Sequence, residues 1–245
     1  VAASIDAGRM PVVIGGDHSC AVGTWSGVAA SLRRGDRSRR LGLVWVDAHL
    51  DAHTPQTSES QRPHGMPIAA LLGHGDPALT EVADPWPKLR PQDLVLIGPR
   101  SWEQGEALLL ERLGVRVMAH TEVAERGFSA CMAEAVARVA ADTHGWGLSF
   151  DLDALDPVDA PGTGVRVAGG LRVAEVAAAL HGLATDPDFV AAELVEYNPT
   201  LDEGRVTAAA TDRVLGALLD RRRPGGAVPL GRTERRTGAP ATGRP

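Results

Sequence analysis

Several residue types are scarce in this 245-residue chain, and each scarcity excludes a class of protein. The two cysteines, Cys20 and Cys131, are too few and too far apart for a disulfide framework, which favours a reducing compartment and predicts a cytoplasmic location. No apolar run reaches the roughly 18–20 residues that span a bilayer, so no membrane partner is expected. The net charge of −6 gives no reason to expect a nucleic-acid partner.

What the chain does have is the composition of a globular domain, with 44% hydrophobic and 23% charged residues. Short apolar runs predict strands at 11–14, 41–46, 94–97, 115–118, 147–150 and 190–195. Helical spacing predicts helices at 22–32, 106–113, 129–140, 171–183 and 206–219, with Ser129 as a helix N-cap.

Continuous apolar strands that alternate with helices are typical of an α/β fold. We therefore predict a three-layer sandwich, in which helices cover both faces of a mostly parallel sheet. A single domain is expected over residues 1–220. Residues 221–245 are rich in Arg, Gly, Pro and Thr, and we predict that they form a disordered tail.

Polar clusters follow three of the predicted strands, at the carboxyl ends where sites form in open parallel sheets. They are GGDHS at 15–19, DAHLDAH at 47–53 and DLD at 151–153. Alternate residues of an extended chain point the same way, so side chains two positions apart converge. The candidate ligands at these three ends are His18, Asp47, His49, Asp51, Asp151 and Asp153.

Four carboxylates held close together repel one another, and some would protonate unless cations lie between them. Two divalent cations would balance four negative charges. Ligation by oxygen and imidazole without thiolate favours manganese over structural zinc, and leaves iron, cobalt, nickel and zinc open. The alternative interpretation is a set of polar loops in which the aspartates cap helices and His18 is structural.

These motifs resemble, in the same order, those of the arginase and agmatinase family, the ureohydrolases. The resemblance rests on GGDHS, DAHLD, SFDLDALDP and APGTG, and it extends over about residues 11–219. It implies a binuclear manganese site, with two Mn²⁺ ions in each subunit, and the hydrolysis of a guanidino substrate to urea and an amine. It also implies a homo-oligomer, either a trimer or a hexamer.

The resemblance assigns metal ligands residue by residue. One cation would be held by His18, Asp47, Asp51 and Asp151. The other would be held by Asp47, His49, Asp151 and Asp153.

The resemblance also assigns catalytic roles to residues outside the three clusters. His64 falls where the family has its proton-shuttling histidine, and Glu196 falls where it has the carboxylate that pairs with the guanidinium. With the ligand Asp51 they make up the predicted catalytic residues. From the residues alone, His64 is equally well a loop histidine, and Glu196 a strand-end glutamate in a surface ion pair.

The preferred substrate implied by the resemblance is L-arginine. Ser60 matches a carboxylate contact, and Glu103 and Glu106 match two acids near the α-amino group, although helix N-termini also favour acids. His53 stands in the same pocket, where many arginases have an amide. Agmatine and guanidinobutyrate remain alternative substrates.

Two interpretations of another class remain. One is a non-catalytic family relative that acts as a partner subunit, and the other is a deacetylase-like hydrolase with a single zinc. Family members usually begin one strand and a glycine-rich loop earlier, so we expect this chain to lack the N-terminal strand.

Overall fold

Six strands form one sheet in the computed structural model, which describes residues 1–220. The strands are β1 (Val12–Ile14), β2 (Gly42–Val46), β3 (Leu94–Ile97), β4 (Arg116–Met118), β5 (Trp146–Asp151) and β6 (Phe189–Val195). Their order across the sheet is β1-β6-β5-β2-β3-β4, and every pairing is parallel. The predicted strand positions and the predicted parallel sheet are therefore confirmed.

Helices follow the strands along the chain. Within residues 1–220 they are α1 (Ala2–Asp6), α2 (Cys20–Leu32), α3 (Pro67–Leu71), α4 (Pro77–Thr80), α5 (Gln104–Leu113), α6 (His120–Arg126), α7 (Phe128–Ala140), α8 (Val173–Leu180) and α9 (Val206–Leu219). None of the helices in this range is long and apolar enough to cross a membrane.

Both faces of the sheet are covered, as the continuous apolar strands predict. Along β2, Leu43 and Trp45 point into a core that contains residues of α2, α3 and α5, whereas Val44 and Val46 point into a core built with α7, α8 and α9. All five residues of β2 are buried. Each large apolar side chain removed from water contributes about 1.5–3 kcal/mol, so the two cores hold the central strands firmly in place.

Three details differ from the sequence predictions. Ser129 is not an N-cap, because α7 begins one residue earlier and follows Gly127. The helix predicted at 171–183 ends at Leu180, where Gly182 takes a left-handed conformation that stops it. The short helices α1, α3, α4 and α6 were not predicted, since none of them is long enough to show helical periodicity. The predicted tail at 221–245 lies outside the described residues.

The path of the chain creates a switch point at the centre of the sheet. From β2 the chain moves outward to β3 and β4, and it then returns to β5 on the other side of β2. Connections that leave two neighbouring strands in opposite directions open a crevice at their carboxyl ends. Asp47 follows β2 at this crevice, and Asp151 ends β5 there.

The packing of α2 on β5 can be tested at Gly147. A Cβ at this residue would lie 2.3 Å from Cζ3 of Trp25 and 3.0 Å from the carbonyl oxygen of Ala191. Because Trp25 is fully buried and cannot move freely, we expect Gly147→Ala to lower the free energy of unfolding by about 1–3 kcal/mol. The melting temperature, followed by circular dichroism, measures the effect.

The matched control is Gly23→Ala on α2, the helix that carries Trp25. Gly23 is exposed and has no neighbouring atom within 4 Å of the new methyl group. Removing glycine from a helix interior should raise the stability by about 0.5–1 kcal/mol. A Gly147→Ala protein at least as stable as the original would contradict the close contact between α2 and β5.

Candidate metal centre

His18 lies at the centre of a group of carboxylates. The Gly15-Gly16 turn after β1 brings it to the sheet edge, where it is 1% exposed. Its Nδ1 lies 3.1 Å from Asp47 Oδ2, 3.0 Å from Asp51 Oδ2 and 3.0 Å from Asp151 Oδ2. One imidazole nitrogen therefore faces carboxylate oxygens of residues at the carboxyl ends of two other strands, β2 and β5.

A second imidazole approaches the same carboxylates from the other side. His49 Nδ1 lies 3.2 Å from Asp153 Oδ2 and 3.5 Å from Asp47 Oδ1. Asp47 consequently lies between the two histidines, with one oxygen toward each. The structure thus brings together all six residues that the sequence predicted as ligands, in two groups that share Asp47.

Local hydrogen bonds shape the loops that carry these carboxylates. Asp47 Oδ1 accepts from the backbone N–H of His49 at 2.7 Å, and Asp151 Oδ1 accepts from that of Asp153 at 2.7 Å. Each aspartate therefore caps its own turn, as the alternative interpretation suggested, and still turns an oxygen toward His18. Asp51 has a φ of 47°, a left-handed conformation that places its side chain on the same cluster.

The cluster brings four carboxylates together with only two imidazoles, so acidic groups outnumber basic ones. Burial, with Asp47 as the next cause, raises the pKa of Asp51 to about 8. Burial and neighbouring carboxylates also raise the pKa of Asp151 and of Asp153. Burial would lower the pKa of His18, but Asp151, Asp47 and Asp51 outweigh it and raise that pKa well above 6.5. Positive charge is therefore strongly favoured at this position.

The donor set tests whether metal ions fit. His18 Nδ1 and His49 Nε2 are buried and make no hydrogen bond, although Nδ1 of His18 faces three carboxylate oxygens. Lone pairs on nitrogen and oxygen repel at such distances unless a proton or a cation lies between them. Carboxylates and imidazoles without thiolate form a donor set that divalent transition metals accept. The residues fit a pair of divalent cations.

Further residues support the ligands from behind, and the sequence analysis missed them. The Trp45 indole N–H donates to Asp47 Oδ2 at 2.9 Å, and its ring stacks on His18 with centroids 4.0 Å apart. Ser149 Oγ lies 3.0 Å from His18 Nε2. Trp45 and Ser149 each stand two residues before a ligand aspartate, so strand alternation was a signal that would have found them.

Arg100 and Glu193 were also missed, and no sequence signal points to them. Nη2 of Arg100 donates to the carbonyl oxygens of Asp153 at 2.8 Å and Val167 at 2.9 Å. Glu193 is fully buried, with Oε2 lying 3.3 Å from Ser149 Oγ. Arg100 therefore holds the turn that carries Asp153, and Glu193 extends the hydrogen-bond network behind His18.

A cleft opens beside the cluster. Its lining includes all the other residues that the sequence assigned to catalysis or substrate binding, namely His53, Ser60, His64, Glu103, Glu106 and Glu196. Val165 also lines it and was not predicted. Metal ligands and predicted substrate contacts thus border the same space.

Glu196 joins the cleft to the cluster. It follows β6 with a φ of 66°, and its Oε1 accepts from the backbone N–H of His18 at 2.9 Å. The same oxygen lies 4.0 Å from Nδ1 of His64. Burial raises the pKa of Glu196. A carboxylate and an imidazole therefore stand together over the cluster.

Glu103 and Glu106 stand at the other end of the cleft, at the start of α5. They form a capping box, in which each side chain accepts from the backbone N–H of the other residue. The interpretation of these residues as helix N-terminal acids is therefore correct as structure, and both also line the cleft. Burial raises the pKa of Glu106.

Comparison with known proteins gives a consistent result. The model of the arginase family matches residues 1–219. An arginase of Bacillus caldovelox is 44% identical over 215 residues, which are 88% of this chain and 70% of that protein. An arginase of Brevibacillus brevis is 44% identical over 87% of this chain and 68% of its own length. The crystal structure of the Bacillus cereus arginase has a TM-score of 0.84 and 39% identity, over 91% of this chain and 75% of that one.

Metal binding by the cluster predicts a change in stability. Two divalent ions per chain should bind and raise the melting temperature, because a ligand at about 100 times its Kd adds roughly 2.7 kcal/mol. We expect Asp47→Asn to lose most of this gain, since Asp47 faces both histidines. Metal analysis measures the number of bound ions. Thermal unfolding with and without a chelator measures the change in melting temperature.

Asp17→Asn provides the control for this experiment. Asp17 is exposed beside His18, and its Oδ1 accepts hydrogen bonds from Ser19. This variant should keep both ions. A purified protein that binds no divalent ion, or an Asp47→Asn variant with unchanged metal content, would contradict the assignment of the cluster.

Proposed function

The chain belongs to the arginase family, and from that premise we propose that it hydrolyses L-arginine to urea and ornithine at a site for two manganese ions. The observation that carries the proposal is the position of Glu196, whose carboxylate borders the cleft directly beside the buried ligand cluster. A cationic, planar group held there would lie against the ligands of two metal ions.

The six clustered residues are the proposed metal ligands. One ion is assigned to His18, Asp47, Asp51 and Asp151. The other is assigned to Asp47, His49, Asp151 and Asp153. When bound, such a pair supplies a water nucleophile at neutral pH and stabilises developing negative charge. Manganese suits these oxygen and nitrogen donors, which include neither Cys20 nor Cys131.

The residues of the chain orient the reacting group. Glu196 pairs with the guanidinium and places its carbon toward the cluster, which makes the attack effectively unimolecular. Asp51 is assigned to catalysis with it, because its carboxylate belongs to the ligand cluster and also lines the cleft. The strained backbone of both residues is maintained by the surrounding fold, as is common at catalytic sites.

His64 is positioned for proton transfer. Its side chain is about a third exposed at the rim of the cleft, so it can exchange protons with solvent while it faces Glu196. After attack on the guanidinium carbon, the departing amine nitrogen needs a proton, and a histidine is suited to donate it near neutral pH.

The far end of the cleft receives the amino-acid end of the substrate. Glu103 and Glu106 provide negative charge for the α-ammonium, and Ser60 provides a hydroxyl for the carboxylate. His53 contacts both of these acids. A cytoplasmic location stays a prediction of the sequence, and a trimeric or hexameric assembly stays an implication of the family resemblance.

Urea release tests the reaction. The manganese-loaded protein is assayed in parallel with L-arginine, agmatine and 4-guanidinobutyrate. We expect urea mainly from arginine, and about 10²–10³-fold lower kcat/KM for Glu196→Gln, which loses the charge that pairs with the guanidinium. Glu203→Gln, a change at an exposed glutamate outside the cleft, is the control. Absence of urea from all three compounds, with two ions bound, would refute the proposal.

The role of His64 predicts a separate kinetic effect. His64→Asn should lower kcat by about 10²-fold or more and change KM little, because proton donation matters after the substrate is bound. His74→Asn, which alters a histidine outside the cleft, should leave both constants unchanged. A His64→Asn enzyme whose loss lies entirely in KM would show that His64 binds substrate instead.

A further inference from the structure

An imidazole occupies the space between the two acids at the far end of the cleft. His53 Nε2 lies 3.0 Å from Glu103 Oε2 and 3.3 Å from Glu106 Oε2. On the other side of the ring, Nδ1 lies 3.1 Å from Thr57 Oγ1. Both ring nitrogens have partners and the side chain is only 11% exposed, so the ring is held against the acid pair.

Glu106, which is buried, has few acceptor positions left for a ligand. Glu106 Oε1 accepts from the backbone N–H of Ala52 at 3.1 Å, and its Oε2 accepts from that of Glu103 at 3.0 Å. The Glu103 side chain accepts a backbone N–H of the same capping box. His53 contacts the Oε2 atoms of both acids, and the exposed carboxylate of Glu103 keeps further acceptor positions.

An ammonium group carries three donors and no acceptor, so on these acids it competes with His53 for the Oε2 atoms. To reach them it has to displace the imidazole or share the oxygens with it. A substrate that lacks the ammonium group leaves the contacts of His53 with Glu103 and Glu106 intact. Two guanidino acids that differ only in this group therefore meet different obstacles in the same cleft.

We propose that His53 is a specificity-determining residue, which weakens binding of the α-ammonium by occupying the Oε2 atoms of Glu103 and Glu106 and so narrows the preference for arginine over guanidino acids that lack this group. The inference rests on the proposed function and refines its substrate class. His53 acts on binding at the distal end of the substrate and leaves the ligand cluster and Glu196 untouched.

The test compares L-arginine with desamino-arginine, which has the same guanidinium, chain and carboxylate and lacks only the ammonium. Urea release gives kcat and KM for both compounds with the manganese-loaded enzyme and with His53→Asn. We expect His53→Asn to lower the KM for arginine about tenfold, which is the effect of removing one competing charge-assisted hydrogen bond. The KM for desamino-arginine and both kcat values should change by less than about twofold.

Two further variants keep the test decisive. Thr57→Val retains the imidazole and removes the hydroxyl that holds Nδ1, so it should lower the KM for arginine by a smaller factor. It also replaces His53→Asn if that variant fails to fold. His74→Asn is the matched histidine change outside the cleft and should leave both KM values as they are.

The outcomes separate this inference from the proposed function. Unchanged KM for arginine in both His53→Asn and Thr57→Val, while the enzyme releases urea, would overturn the role of His53 alone. A parallel rise in KM for both compounds in His53→Asn would also overturn it, and would indicate that His53 binds the carboxylate. If the original protein with two ions bound releases urea from neither compound, the proposed function and this inference both fail.

Discussion

The concentration of four carboxylates at one edge of a parallel sheet is the constraint on which the rest of the structure depends. Parallel pairing places the carboxyl ends of all strands at the same edge, and the switch point sets β2 beside β5. Asp47 and Asp151 thereby come within 3.1 Å of one imidazole nitrogen. Buried carboxylates this close together must either take up protons or be compensated by cations, so the fold itself creates a site that divalent ions fit.

The cluster also explains where the backbone is strained. Asp51 and Glu196 both take left-handed conformations that cost non-glycine residues about 1–3 kcal/mol. Hydrogen bonds hold both places: the N–H of Ile68 donates to the Asp51 carbonyl at 2.9 Å, and that of Glu196 donates to the Gly16 carbonyl at 2.8 Å. These two hydrogen bonds thus hold the strained residues after β2 and β6, and the second of them ties the loop after β6 to the loop after β1.

Sequence reasoning predicted the strands because apolar runs mark β2 and β5. It also predicted that Asp47, His49 and Asp51 converge, but it expected extended chain, whereas the chain turns after β2 and Asp51 is left-handed. It could not predict Arg100, whose bonds to Asp153 and Val167 depend on how distant loops fold together. Sequence reasoning wrongly predicted an N-cap at Ser129, because serine is a favourable cap residue but the residue type does not show where the preceding turn ends.

The two halves of the site differ in how they are built, and this difference separates reaction from substrate choice. The ligands at the strand ends are mostly buried and support one another, so any change there disturbs several contacts. The distal half consists of loop residues and the first turn of α5, where Glu103 is exposed. His53 bridges the halves, two residues beyond Asp51 and in contact with Glu103. Substitutions in the distal half can therefore alter which guanidino compound binds while the chemistry at the cluster stays the same.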